Sequence, residues 1–297
     1  MIAALGWTFL WDPRAIVAVQ RFLGPGWLGP FRLLTELGDT WAVVVAVALA
    51  RWLGGRRPAY GLLAVVLLGA AASTALKAVV GLPRPQGAAI LVRETVNDGS
   101  FPSGHSVTAT TLWGGLALLV GLPWALAALV AGTVMLSRVY LGVHYPGDVL
   151  GGAALGLLLL AGYARLSPRL ARRLGTRPPR RLVVALGVLG FTAALLVVSF
   201  LGTTVRTWQV AGGLAGAAVG IPLDVLSAPA PLPRGLAART RLVAIGLGGL
   251  ALLLGASAAA ARWSPPLAGA GFALAALWVA PGVPRLMAHA GPGAPAA

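Results

Sequence analysis

Apolar residues run along this chain in stretches of about twenty, separated by short polar clusters. The stretches lie near 35–53, 60–80, 103–121, 123–141, 146–164, 182–201, 208–226, 242–261 and 266–284. About twenty apolar residues is the length an α-helix needs to cross the hydrocarbon core of a bilayer. The pattern therefore predicts an all-α, polytopic membrane helical bundle of about nine transmembrane helices. The first 34 residues read differently. There Trp7, Trp11 and Trp27 stand among Asp12, Arg14, Arg21 and Arg32, as in a helix lying in the headgroup layer, where tryptophan and snorkelling arginine are favoured.

Composition agrees. Hydrophobic residues make up 58% of the chain and charged residues 10%, and the mean hydropathy is +0.86, too apolar for a water-facing shell. The formal charge of +16 does not point to nucleic acid, because the arginines form short clusters between apolar runs rather than a groove with interleaved aromatics. With the N-terminus outside, the inner loops collect Arg51, Arg56 and Arg57, seven arginines between 165 and 181, then Arg234, Arg239, Arg241 and Arg285. The positive-inside rule then predicts a cytoplasmic C-terminus, a multi-pass protein of the plasma (inner) membrane and a site facing the periplasm or exterior. There are no cysteines, which excludes disulfides and thiolate chemistry. No basic n-region precedes the first apolar stretch, so no cleaved signal peptide is expected.

The expected organisation is an interfacial segment (1–34), a five-span catalytic core (35–165), a basic cytoplasmic linker (166–181), a four-span unit (182–288) and a flexible tail (289–297). In the four-span unit Gly212, Gly216 and Gly220 recur every fourth residue, a stripe that lets helix backbones approach closely.

Three segments concentrate the unusual polar residues. Lys77, the single lysine beside 22 arginines, is followed by six residues and then Arg84-Pro85. Pro102-Ser103-Gly104-His105 comes next, then Ser137-Arg138, five residues, His144, three residues and Asp148. Two of the three histidines and the sole lysine thus fall at the outer ends of spans two to five. Each residue taken alone has a structural explanation; together they point to chemistry, since ionisable groups within membranes are costly and mark function.

The segments assemble an oxyanion pocket on paper. Ser103 is a good N-cap, so a helix should begin at Gly104-His105 with unpaired N–H groups facing an anion. Gly104 admits a phosphate close to the backbone. Pro146 suits the first turn of the next helix, which lets Asp148 reach back to His144 and fix its tautomer. Lys77, Arg84 and Arg138 supply three cations for the three equatorial oxygens of a phosphoryl group in transfer. His144 would attack phosphorus, and His105 would protonate the leaving oxygen and then activate water. No carboxylate cluster suits Mg²⁺ or paired zinc, so no metal and no cofactor are expected.

These three segments resemble the signatures of the type-2 phosphatidic acid phosphatase superfamily, which shares its site with the vanadium haloperoxidases, over roughly residues 35–165. The resemblance implies a helical catalytic core, a phosphohistidine mechanism, His144 as nucleophile with Asp148 as its partner, and His105 as acid. It also assigns Lys77, Arg84, Ser103, Gly104 and Arg138 to the phosphate. The implied substrate is a membrane lipid phosphate or pyrophosphate at the outer leaflet, with undecaprenyl pyrophosphate favoured by analogy. Phosphatidic acid, phosphatidylglycerol phosphate, a soluble sugar phosphate, transfer to another acceptor and a non-catalytic lipid binder or transporter stay open. No nucleic-acid partner is expected, and a homodimer is compatible with the sequence. Arg93, Glu94, Asn97 and Asp98 in the loop between the first two segments, with Glu36, Gly38 and Asp39, are candidates to contact a headgroup. Asp224 is expected to pair with nearby arginines.

Overall fold

The computed structural model describes residues 9–94, 96, 98–174, 178–200 and 204–289. Asn97, Trp7 and residues 290–297 of the expected tail lie outside the described residues. Regular structure among the described residues is helical. The helices are α1 (Pro13–Leu23), α2 (Leu28–Thr35), α3 (Thr40–Leu49, continued by a π-helical turn Ala50–Gly54), α4 (Arg56–Val80), α5 (Gly104–Val120) and α6 (Trp124–Tyr140). They continue with α7 (Pro146–Leu174), α8 (Arg180–Phe200), α9 (Val205–Leu226), α10 (Leu236–Ala260), α11 (Pro265–Leu277, continued by a π-helical turn Trp278–Gly282) and α12 (Val283–His289).

Every expected span falls on a helix, but the count of nine is not reproduced by length and apolarity. Six helices are long and apolar enough to cross a membrane among the described residues, and seven if a bent pair counts as one span. The bent pair is the first expected span: Pro25–Gly38 and Thr40–Gly54 meet at 52°, so 35–53 is broken at Asp39. The expected spans 103–121 and 123–141 are α5 and α6, each of 17 residues. At 1.5 Å per residue such a helix measures about 25 Å, short of a hydrocarbon core of about 30 Å. In α5, Ser106, Thr110 and Thr111 are buried against neighbouring helices.

The chain divides into two compact units. The first comprises residues up to Val47 together with Tyr60–Arg169; the second takes Ala48–Ala59 and the chain from Leu170 onward. Arg165–Leu174 are helical, as the end of α7.

The first unit is built around α5. A Cβ at Gly115 would lie 2.6 Å from Leu62, and one at Gly114 would lie 2.5 Å from Leu160. On α7, Cβ atoms at Gly152 and Gly156 would come within 2.7 Å of Ser103 O and of Thr110 Cβ. These glycines let α7 lie against the start of α5, which brings the second and third polar segments together. The N-terminal helices pack on α6: Phe31 is buried with Tyr140, Leu141 and Val143, and Ile16 is buried with Val139 and Val149. The buried Gln20 donates from Nε2 to Tyr140 O at 2.9 Å and Leu91 O at 2.8 Å, which ties α1 to the turn that precedes His144.

In the second unit the predicted glycine stripe works through backbone approach. Cβ atoms at Gly212 and Gly216 would lie 1.9 Å from Gly269 O and 2.3 Å from Ala273 O, so only glycine lets α9 and α11 meet there. Asp224 is buried between Arg51 Nε at 2.8 Å, Arg51 Nη2 at 2.7 Å and Arg56 Nη2 at 3.3 Å. Asp224 is charge-paired, as expected, but these partners lie far back in sequence and not in the arginine cluster that follows it.

Candidate active site

The three polar segments converge in the first unit. Lys77 stands near the end of α4, which Gly81 closes with φ 60° and an N–H bonded to Lys77 O at 3.0 Å. The loop that follows folds back where Ser100 N meets Leu82 O at 2.9 Å. Ser103 caps α5 as predicted, in extended conformation, with Oγ 3.4 Å from Ser106 N. Its own N–H donates to Asp148 O at 3.0 Å, so the second segment is bonded directly to the third. Gly142, at φ 74°, turns the chain from α6 toward His144, and α7 begins at Pro146.

His144 and Asp148 are buried, with 2% and 0% of their surfaces exposed. Arg84 Nη1 donates to Val143 O at 2.8 Å and lies 3.2 Å from His144 Nε2. A guanidinium has no acceptor, so Nε2 must present its lone pair, and the ring proton belongs on Nδ1. Nδ1 faces Asp148 Oδ2 at 3.4 Å, longer than a well-formed hydrogen bond. Oδ2 also accepts from Tyr145 N at 2.8 Å, and Oδ1 accepts from Trp11 Nε1 at 3.2 Å. Burial holds the imidazolium pKa of His144 below its ordinary value; Asp148 opposes this, while the charges of Arg84 and Arg138 add to it.

The three predicted phosphate cations are held by two loop carboxylates. Lys77 Nζ lies 3.1 Å from Asp98 Oδ2, and Arg84 Nη2 pairs with Asp98 Oδ1. Arg138 Nη1 lies 2.7 Å from Glu94 Oε2 and donates to Thr35 Oγ1 at 3.1 Å. Glu94 and Asp98, candidates to contact a headgroup, sit in the cation cluster itself. Burial works to raise the Asp98 pKa, but hydrogen bonds from Arg84 and Lys77 outweigh it and the net shift is downward. Arg93 lies apart: its guanidinium stacks 4.9 Å above the Tyr140 ring. His105 Nε2 faces Asp39 Oδ2 at 3.8 Å, and a Cβ at Gly38 would press within 3.1 Å of His105 O. Among the described residues no group of three or more His, Asp or Glu side chains is arranged as metal ligands.

Three residues at the site escaped the sequence reading. Trp11 comes from the N-terminal segment, whose tryptophans and arginines carry an interface signal that masks any site role, and Thr35 is the first residue of the first expected span, with no local signal of its own. Ser73 had a legible signal, being one turn before Lys77 on α4. Its side chain is buried and Oγ has no hydrogen-bond partner among the described residues. The nearest atom to a Cβ placed on Gly104 is that same Oγ, at 3.8 Å, so the space in front of Gly104 is open.

Comparison with known proteins gives the family. Residues 58–172 match the PAP2 superfamily. The chain is 38% identical over 160 residues to the decaprenylphosphoryl-5-phosphoribose phosphatase of Mycobacterium tuberculosis, covering 49% of this chain and 84% of that protein. The chain belongs to the PAP2 superfamily. It is a phosphatase and a multi-pass membrane protein. Shorter similarities reach the phosphatidylglycerophosphatase B of Bacillus subtilis, 46% over 71 residues (20% of this chain, 35% of that protein). The undecaprenyl-diphosphatase of Sulfolobus acidocaldarius is 42% identical over 69 residues (22% and 32%). The crystal structure of a PAP2-type phosphatidylglycerolphosphate phosphatase from Bacillus subtilis aligns with a TM-score of 0.44 at 26% identity, over 52% of this chain and 86% of that one. The PAP2 match contains all three polar segments; Trp11, Thr35 and Asp39 precede it, and α8–α12 follow it.

Proposed function

We propose that this PAP2 protein hydrolyses a lipid phosphate through a phosphohistidine on His144, without a metal ion. The observation that carries the reading is Arg84 Nη1 at 3.2 Å from His144 Nε2: the nitrogen with the free lone pair faces the cation that would hold the phosphoryl oxygens. Nε2 attacks phosphorus in line and forms the P–N bond as the ester or anhydride oxygen leaves with a proton from His105. His105 then takes a proton from water, which attacks phosphorus, breaks the P–N bond and frees orthophosphate. Lys77, Arg84, Arg138 and the amides around Ser103-Gly104 stabilise the charge in transfer. Asp148 keeps the ring proton on Nδ1. The bias of basic loop residues supports a site on the outer face, with the C-terminus cytoplasmic.

For the substrate we favour a phosphate or pyrophosphate on a polyprenyl carrier, undecaprenyl pyrophosphate among them. Support comes from two relatives whose names specify polyprenyl substrates, one of them similar over 84% of its length. The second reading is a glycerophospholipid such as phosphatidylglycerol phosphate or phosphatidic acid, favoured by the similarity to phosphatidylglycerophosphatase B. Phosphate release by the purified protein in detergent, with EDTA, from polyprenyl phosphates and pyrophosphates, both glycerophospholipids and a sugar phosphate tests both readings. Release from none of them, or activity that EDTA removes, overturns the mechanism; preference for a glycerophospholipid overturns the favoured substrate.

A further inference from the structure

Asp148 is a carboxylate with no exposed surface, and its two oxygens are used differently. Oδ2 accepts from Tyr145 N at 2.8 Å and faces His144 Nδ1. Oδ1 accepts from Trp11 Nε1 at 3.2 Å, a contact spanning 137 positions of sequence. We propose that Trp11 is a positioning residue for phosphoryl transfer: its indole N–H fixes the rotation of the Asp148 carboxylate so that Oδ2 stays aimed at His144. The proposal rests on the reading of His144 as the nucleophile.

The seat for the indole is built into the third polar segment. A Cβ at Gly147 would lie 2.5, 2.6 and 2.9 Å from three atoms of the Trp11 ring, so glycine between Pro146 and Asp148 makes room for the indole. Phe101 flanks it with ring centroids 6.2 Å apart, just before Pro102-Ser103. On the other side Trp11 is held by the chain it belongs to. Asp12 caps α1 through Arg14 N at 2.8 Å, and α1 is pinned by Ile16 and by Gln20 to the end of α6. An indole N–H donates and cannot accept, which suits a carboxylate oxygen that must stay charged. A segment preceding the family match thus completes the orienting shell of the nucleophile.

The test uses the full-length protein in detergent. Trp11→Phe keeps an aromatic ring and removes the N–H. It should lower kcat about tenfold, the scale of one lost hydrogen bond to a charged group, with KM and the inhibition constant of orthophosphate unchanged. The acid limb of the pH profile should move to higher pH. Without the indole donor, Asp148 presents more charge to His144, against the opposing charges of Arg84 and Arg138. A purely structural role would scale the whole profile by the folded fraction and leave its limb in place. In an Asp148→Asn background the same substitution should have no further effect on kcat. If Trp11→Phe does not fold, benzothienylalanine at position 11, which keeps the bicyclic shape and lacks the N–H, takes its place. Unchanged kcat and an unmoved acid limb, or equal effects in both backgrounds, overturn the proposal. His144→Ala run alongside separates the two readings: full activity there overturns the nucleophile itself, whereas its loss with an indifferent Trp11 variant overturns only the role of Trp11.

Discussion

Arg84 Nη1 lies 3.2 Å from His144 Nε2, and the same nitrogen donates to the carbonyl of Val143, the residue before His144. One guanidinium therefore both anchors the loop that carries the proposed nucleophile and defines which ring nitrogen is free. This has a consequence for pH. Burial, with Arg84 and Arg138 adding to it, disfavours the imidazolium, so His144 stays neutral below the ordinary histidine pKa of about 6.5. A neutral ring is the nucleophilic form. The acid limb of kcat/KM should accordingly fall below pH 6.5 and not at it; measurement from pH 4 to 9 checks this. Arg84→Gln removes one of the opposing charges and a phosphate contact, so its acid limb should move up while kcat/KM drops by about 100-fold or more.

Glu94 and Asp98 neutralise the cations that would receive the phosphoryl group, and both are substantially exposed, at 40% and 56% of their side chains. Their cations are far less exposed, Arg138 at 2%, Lys77 at 11% and Arg84 at 14%, so the carboxylates are the accessible partners that an arriving phosphate would exchange with. Glu94→Gln and Asp98→Asn should each strengthen inhibition by orthophosphate and vanadate several-fold. Titration of the inhibitors against each variant checks the direction; weaker inhibition would mean that the carboxylates help to shape the pocket instead.

The residues of the site were legible because their chemistry is rare in an apolar chain: a sole lysine, two histidines and a carboxylate at fixed spacings need no fold to be noticed. Helix starts at Gly104 and Pro146 were legible too, from Ser103 as a cap and from proline at a first turn. What could not be read was which side chains from distant sequence close the site. Trp11 carries the ordinary signature of a membrane interface, and nothing in its spacing to Asp148 announces a contact. Glu94 and Asp98 read as headgroup residues because a loop's direction of return is set by bonds such as Ser100 N to Leu82 O, which no local pattern encodes. The expected count of nine is not reproduced by length and apolarity because α5 and α6 have 17 residues each.

In the second unit Asp224 is the carboxylate shared by Arg51 and Arg56, and the Arg51 and Asp224 side chains are each 4% exposed. Removing one partner strands a buried charge, at a cost of about 3–5 kcal/mol. Asp224→Ala should therefore lower thermal stability markedly, whereas a paired Arg51→Met, Asp224→Leu replacement should recover much of it. Melting curves in detergent distinguish the two. The KM for substrate should be unchanged in the folded fraction of either variant, since no residue of the proposed site lies in this unit.

Gly104 separates stability from function most cleanly. It is the first residue of α5, and among the described residues a Cβ there would meet Ser73 Oγ at 3.8 Å and nothing nearer, so alanine meets no clash with them. Alanine is also the better helix residue, by up to about 1 kcal/mol. Gly104→Ala should therefore keep or raise the melting temperature. If the space before Gly104 belongs to the phosphate, the added methyl occupies it and turnover should fall by about 100-fold or more, with loss of vanadate inhibition. Ser73→Ala gives the complementary result: its hydroxyl has no hydrogen-bond partner among the described residues, so stability should stay within about 0.5 kcal/mol, while KM rises several-fold if that hydroxyl donates to a bound phosphoryl oxygen. Full activity in Gly104→Ala would mean that the phosphate does not approach the start of α5, and the pocket would have to be redrawn around Lys77, Arg84 and Arg138 alone.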